Sequence, residues 1–167
     1  MEDRPKIKLD PSPLDKKLEL ACMVILIGMW LLSIYALVKL PVTIPIHYNA
    51  AGQPDNYGPK ATLLILPSLA TFIYSSLTWL NKYPHRFNYI TPITETNAAK
   101  QYIIATSLLR WLKLSILIIC TIIILFTYLT SIGICDGLGA WFLPFMFGLL
   151  TVPTVVSIYR SLKKEKI

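Results

Sequence analysis

Four long stretches of this chain carry no charged side chain, and they set its organisation. They cover residues 20–38, 61–81, 114–135 and 137–159. A helix of about 20 apolar residues crosses the ~30 Å hydrocarbon core of a bilayer. The pattern therefore predicts four membrane spans, at about residues 19–40, 61–81, 113–134 and 138–159. The last run holds Pro144 and Pro153, which membrane helices tolerate when neighbours satisfy the freed carbonyls. The expected fold class is all-α: an integral membrane four-helix bundle with an ordered extracytoplasmic loop between helices 1 and 2. Residues 1–18 form a cytoplasmic N-terminal segment, 41–60 an outer loop, 82–112 an inner segment and 161–167 a basic tail.

Local signals refine these elements. Ser12-Pro13-Leu14-Asp15 reads as a helix start, with Ser12 as cap, Pro13 at the first helical position and Asp15 at the positive end of the dipole. A second start is expected at Thr94, which would cap a helix running into the third span. On that helix Lys100, Thr106, Ser107, Arg110 and Lys113 share one side, and Ile104, Ala105, Leu108, Leu109 and Leu112 the other. The first turns of that helix are expected to emerge into the cytoplasm or lie along the inner membrane surface. Within the spans, Thr71, Ser75 and Thr78 mark a face of the second helix turned to the bundle interior.

Composition agrees with this class. Hydrophobic residues make up 54% of the chain and charged residues 15%, with a net charge of +7. The basic residues cluster at the ends of the apolar runs, so the charge is read as membrane topology rather than a nucleic-acid surface. Of the 16 Lys and Arg, only Lys39 and Lys60 lie on the two connections opposite the termini. That asymmetry predicts a bacterial cytoplasmic membrane protein with both termini inside. The first run is expected to be a span and not a cleavable leader. Cys22, Cys120 and Cys135 show neither a disulfide framework nor zinc spacing.

Candidate chemistry concentrates in two places. The outer loop holds Pro41, Pro45, His47, Tyr48, Asn49, Gly52, Pro54, Asp55 and Lys60. Turn residues dominate it, and Gly52 sits where positive φ is expected. His47 and Asp55, brought together, would bind a metal or relay a proton. One His and one Asp are too few for a closed zinc site. Convergence of His47, Asp55 and Lys60 over a cavity would favour catalysis, and a plugged bundle would favour binding. The inner segment offers Pro84, His85, Arg86, Asn88, Asn97 and Lys100, suited to a lipid phosphate or a cytoplasmic protein partner. No nucleophile elbow, P-loop, dinucleotide fingerprint or HExxH occurs. No catalytic or metal-binding residue is assigned and no cofactor is expected.

The pattern Leu40-Pro41-x-x-Ile44-Pro45-x-His47-Tyr48-Asn49-x-x-Gly52-x-Pro54-Asp55, closing with Lys60, resembles a bacterial membrane domain of unknown function found at the N-terminus of SdpI-like immunity proteins. Asn81-Lys82-x-Pro84-His85-x-Phe87-Asn88-Tyr89 resembles stand-alone four-span members. The resemblance implies a non-enzymatic sensing or toxin-immunity role. The outer loop would meet an envelope peptide or toxin, and the inner segment a repressor-like partner. Longer members carry a Gly-x-Arg-Thr-Pro-Trp-like stretch that this sequence lacks. The competing expectation is a small metal-assisted membrane enzyme or transporter subunit centred on His47 and Asp55.

Overall fold

A computed structural model describes residues 4–163. Lys164 and Lys166 of the basic tail, and Glu2 and Asp3 of the N-terminal segment, lie outside the described residues. Four helices dominate: α1 (Pro13–Lys39), α2 (Ile65–Leu80), α3 (Ala98–Ser131) and α4 (Phe142–Leu162). All four, α2 counted with the 3₁₀ turn Lys60–Leu64 before it, are long and apolar enough to cross a membrane. The all-α expectation is corrected by one element. Two antiparallel strands, β1 (Thr43–Tyr48) and β2 (Pro54–Pro59), form a hairpin between α1 and α2.

Ser12 caps α1 as the sequence predicts. Its hydroxyl accepts from the Asp15 N–H at 3.1 Å, and Asp15 Oδ2 accepts from the Ser12 N–H at 3.0 Å. This reciprocal box satisfies two orphan groups at the helix start. α3 begins later than expected. Asn97, not Thr94, stands at its cap position. The Asn97 side chain turns back to accept from the Thr94 N–H and to donate to the Pro92 carbonyl. Those bonds hold residues 94–97 in a turn, so the helix opens at Ala98. It ends in a Schellman stop: Ile134 N–H donates to Leu129 and Gly133 N–H to Thr130, with Gly133 at φ +75°.

The core is a seam between α1 and α3. Buried positions on α1 are Asp15, Leu18, Cys22, Met29, Ser33 and Ala36, a single stripe at helical spacing. On α3 the facing stripe is Lys113, Leu117, Cys120, Ile124 and Thr127, alternating by four and three. Small side chains let the two backbones approach. Polar side chains tie the other pairs. Trp30 Nε1 donates to Thr71 Oγ1 at 2.9 Å, joining α1 to α2. Ser115 Oγ donates to the Leu149 carbonyl at 2.9 Å, joining α3 to α4. That carbonyl lies four residues before Pro153, whose ring supplies no N–H for it. Ser75 is exposed, so only Thr71 and Thr78 of the expected α2 face make contacts across helices.

Arg110 and Lys113 of the polar side of α3 turn into the bundle. Lys113 is 1% exposed, and its Nζ donates to Glu19 at 2.5 Å and to Thr78 Oγ1 at 2.9 Å. The same Nζ stands 4.6 Å from the Tyr74 ring centroid. Arg110 pairs with Asp15 at 3.2 Å and Glu19 at 3.3 Å. Asp15 and Glu19 are four residues apart on α1, so both carboxylates face α3. Complementary charge turns Arg110 and Lys113 toward α1.

Both described ends of the chain and the segment between α2 and α3 share one end of the bundle, the terminal face. Arg4 donates to the Phe87 carbonyl at 2.5 Å, the Tyr102 hydroxyl to Pro5, and the Gln101 amide to the Ser161 carbonyl. The hairpin and the connection between α3 and α4 share the other end, the hairpin face.

Two predictions follow from this architecture. In a background without the native cysteines, single cysteines at Asn56 and at Lys82 or Lys163 should label from opposite sides, with Asn56 accessible from outside intact cells. Outside labelling at Lys82 would overturn the orientation drawn from the charge asymmetry. For the charge cluster, Glu19→Gln should destabilise by about 3 kcal/mol, because it leaves a buried ammonium short of its partner. Adding Lys113→Met should restore most of that loss. Thermal unfolding in detergent measures both, and a double variant no more stable than the single would show that the pairing is not what matters.

Candidate functional site

The hairpin is built by its turn. The Asn49 side chain accepts from the N–H groups of Ala51 at 2.9 Å and Gln53 at 3.1 Å. The Asn49 N–H donates to the Gln53 carbonyl and the Gly52 N–H to the Asn49 carbonyl, both at 2.9 Å. Gly52 adopts φ +75°, as the sequence predicts. Its surroundings add a second constraint. The Gly52 carbonyl accepts from the Leu138 N–H at 2.7 Å and from the Gly139 N–H at 3.4 Å. A Cβ on Gly52 would strike the Gly139 backbone, and one on Gly137 would strike the Gly52 carbonyl oxygen. The hairpin tip is thus seated backbone to backbone on the connection between α3 and α4.

His47 and Asp55 meet. The register shifts around His47, and Nδ1 lies 2.5 Å from Asp55 Oδ1. A carboxylate only accepts, so Nδ1–H is the donor and the Nε2 lone pair of a neutral ring is left free. Both side chains face solvent, at 66% and 42% exposure. Lys60 does not join them. Its Nζ donates to the Leu40 carbonyl at 2.9 Å, closing the base of the hairpin where α1 ends. Among the described residues, no group of three His, Cys, Asp or Glu is placed to hold a metal ion.

Beneath β1 lies a cleft of about 490 Å³. Ile44, Pro45, Ile46, His47 and Tyr48 roof it, Leu63, Ile65 and Leu66 contribute from the start of α2, and Ile123, Thr127, Leu138 and Phe142 complete it. The Tyr48 hydroxyl donates to Thr127 Oγ1 at 3.0 Å, fixing the roof to α3. Burial pushes the Tyr48 phenol above its ordinary value, so it remains a donor at neutral pH. The lining is apolar apart from His47, Tyr48, Thr62 and Thr127. Thr127, Leu138 and Phe142 were missed from sequence, since their apolar runs read only as spans. Gly137-Leu138-Gly139 was the available signal.

The inner-segment residues serve the terminal face separately. Pro84 is buried, and its carbonyl accepts from the Tyr89 hydroxyl. The His85 carbonyl accepts from Arg4 at 3.4 Å, and Arg86 stacks on the Tyr83 ring at 5.2 Å. Lys100 donates to the Lys163 carbonyl. Asn88 is exposed. None of these approaches the cleft, which lies at the other end of the bundle.

Fold and cleft together define a multi-pass α-helical membrane protein with a hairpin-roofed pocket at one face. Comparison with known proteins adds a family match and a distant relative. Residues 24–71 match the family model described as "Domain of unknown function (DUF1648)". The matched stretch covers most of α1, the hairpin and the first part of α2. The chain is also 37% identical over 93 residues to an uncharacterized protein of Archaeoglobus fulgidus. That alignment takes in 49% of this chain and 51% of the relative, so the chain spans about half the length of the relative it matches. No solved structure matches.

The seating of the hairpin tip gives a stability prediction. Gly52→Val combines a β-branched residue at positive φ, which costs on the order of 1–3 kcal/mol, with a backbone clash. It should lower thermal stability and monodisperse yield, while Ala50→Val at an exposed turn position should leave both near wild type. Equal behaviour of the two variants would show that the tip is not seated on Gly139.

Proposed function

We propose that this is a non-enzymatic sensing or toxin-immunity-type protein of a bacterial cytoplasmic membrane, with both termini in the cytoplasm. It recognises an amphipathic envelope peptide at its hairpin face. The observation that carries the reading is the apolar cleft under β1 with a polar rim. A bulky apolar side chain of the ligand fills the space among Ile123, Leu138 and Phe142, where burial of apolar surface supplies the affinity. Polar groups beside it meet the His47 and Tyr48 side chains that line the cleft. At the other face, Lys82, Arg86 and neighbouring basic residues engage a cytoplasmic protein partner.

The His47–Asp55 contact favours a second reading, a small metal-assisted enzyme or transporter subunit. In that reading Asp55 orients the ring and Nε2 binds a metal or takes a proton. Two of the three residues whose convergence would favour catalysis meet beside the cleft. Lys60 is committed elsewhere, and the cleft itself offers a substrate little beyond His47 to react with. Recognition therefore accounts for more of the arrangement than chemistry does.

The test is binding of fluorescent amphipathic peptides to the protein in nanodiscs, with survival under peptide toxin as the cellular counterpart. Ile65→Trp, which adds bulk at the mouth of the cleft, should weaken binding about tenfold, the equivalent of ~1.4 kcal/mol. Asp55→Asn and His47→Gln should retain much of the activity at normal membrane expression. Severe loss in both, together with metal in the purified wild-type protein, would select the enzyme reading.

A further inference from the structure

Away from the hairpin, a groove runs along the outside of the bundle between α3 and α4. Its lower part, about 270 Å³, reaches from Trp111, Val152 and Pro153 to Ser107, Ser157 and Arg160 at the terminal face. Its upper part, about 440 Å³, shares Trp111, Val152 and Pro153 and continues past Gly148 to Phe145. Gly148, with no side chain, leaves the upper part open. A Cβ built there meets nothing within 4 Å. The Leu149 carbonyl, which would otherwise leave a polar spot beside Pro153, is taken by Ser115. The wall is thus apolar along nearly its whole length.

Polarity is confined to the lower end. Ser107, Ser157 and Arg160 make no side-chain hydrogen bond or ion pair among the described residues. Lys163 lies one helical turn beyond Arg160, where α4 ends. This end is therefore basic. The distance along α4 from Arg160 to Phe145 is roughly 22 Å at 1.5 Å per residue. Half of a bilayer including its headgroup region is about 20–22 Å. The groove has the length of one lipid, with its basic end at headgroup depth and its apolar end near the midplane.

We propose that this groove binds one anionic phospholipid from the leaflet at the terminal face. Arg160 meets the phosphate with charge-assisted hydrogen bonds, and Ser107 and Ser157 supply further donors. One acyl chain lies across Trp111 and Pro153 and over Gly148. Selection for an anionic over a zwitterionic lipid comes from the surrounding positive charge, which disfavours a headgroup bearing its own cation. The groove is separate from the cleft and does not rest on peptide recognition there.

Trp111 lines both parts of the groove and reports on its occupant. The experiment reconstitutes the protein in phosphatidylcholine nanodiscs containing a minor fraction of lipid with a brominated acyl chain, either phosphatidylglycerol or phosphatidylcholine. The Trp111 component of fluorescence is obtained by difference from Trp111→Phe. Brominated phosphatidylglycerol should quench it about fivefold more effectively than brominated phosphatidylcholine. Arg160→Gln, at an exposed position, should remove the difference. Gly148→Leu, which adds its side chain to open space, should reduce quenching by both. Equal quenching in the wild-type protein would overturn the proposal, since it means the groove is lined by bulk lipid without headgroup selection. Absence of quenching by either lipid would also overturn it, and a dimer under those conditions would identify a second copy as the occupant. Selectivity that survives Arg160→Gln would overturn the assignment of the phosphate to this end.

Discussion

The Gly52 carbonyl accepting from the Leu138 N–H is the contact on which the hairpin face depends. A two-stranded hairpin alone is marginally stable in water. Here its tip is fixed to the connection between α3 and α4, its base is closed by Lys60 on the Leu40 carbonyl, and its middle is held by Tyr48 on Thr127. These three attachments turn a short ribbon into a fixed roof. The contact admits no side chain at Gly52 or Gly137, because the two backbones touch. With the roof fixed, the gap it covers persists as a cleft. Without it, Ile44 and the apolar ends of α2, α3 and α4 would have no reason to leave a space of that shape.

At the other end, charge does what backbone contact does at the hairpin face. Asp15 and Glu19 on α1 meet Arg110 and Lys113 on α3, and Thr78 on α2 joins through Lys113. A buried ion pair is weak evidence for stability, yet breaking one is costly. The cluster therefore fixes which helices are neighbours and in what rotational setting, since a different rotation of α3 would leave Lys113 in hydrocarbon. The apolar seam above it, from Leu117 to Thr127, then packs against Cys22, Met29 and Ala36. The family match to residues 24–71 covers the roof, the start of α2 beneath it and part of this seam, while the other half of the surface under the roof comes from α3, α4 and their connection.

Much of this was legible in the sequence, and the failures have physical causes. The four helices follow from the length of the uncharged runs, and the α1 start follows from Ser12 and Asp15. The pairing of the two strands is hard to read from the sequence because Pro45, Pro54 and Pro59 are poor strand residues. Proline is excluded where both edges of a strand must bond, but in a two-stranded sheet each strand has a free edge. Thr94 has the chemistry of a cap, and Asn97 displaced it by bonding back to Pro92 and Thr94. Glu19 lies one residue before the first uncharged run, so the run hid its pairing with Lys113. That pairing becomes visible only when α3 is set against α1. The approach of His47 to Asp55 was a legible possibility of the motif, while the diversion of Lys60 to a backbone carbonyl depended on where α1 stops.

Hydrogen exchange at the Leu138 amide, in the intact protein in nanodiscs, tests the central claim most directly. The account predicts slow exchange at Leu138 although it lies in a connection between helices, and loss of that protection in a variant that unseats the hairpin tip. Exchange in the wild-type protein at the rate of an unprotected loop would contradict it.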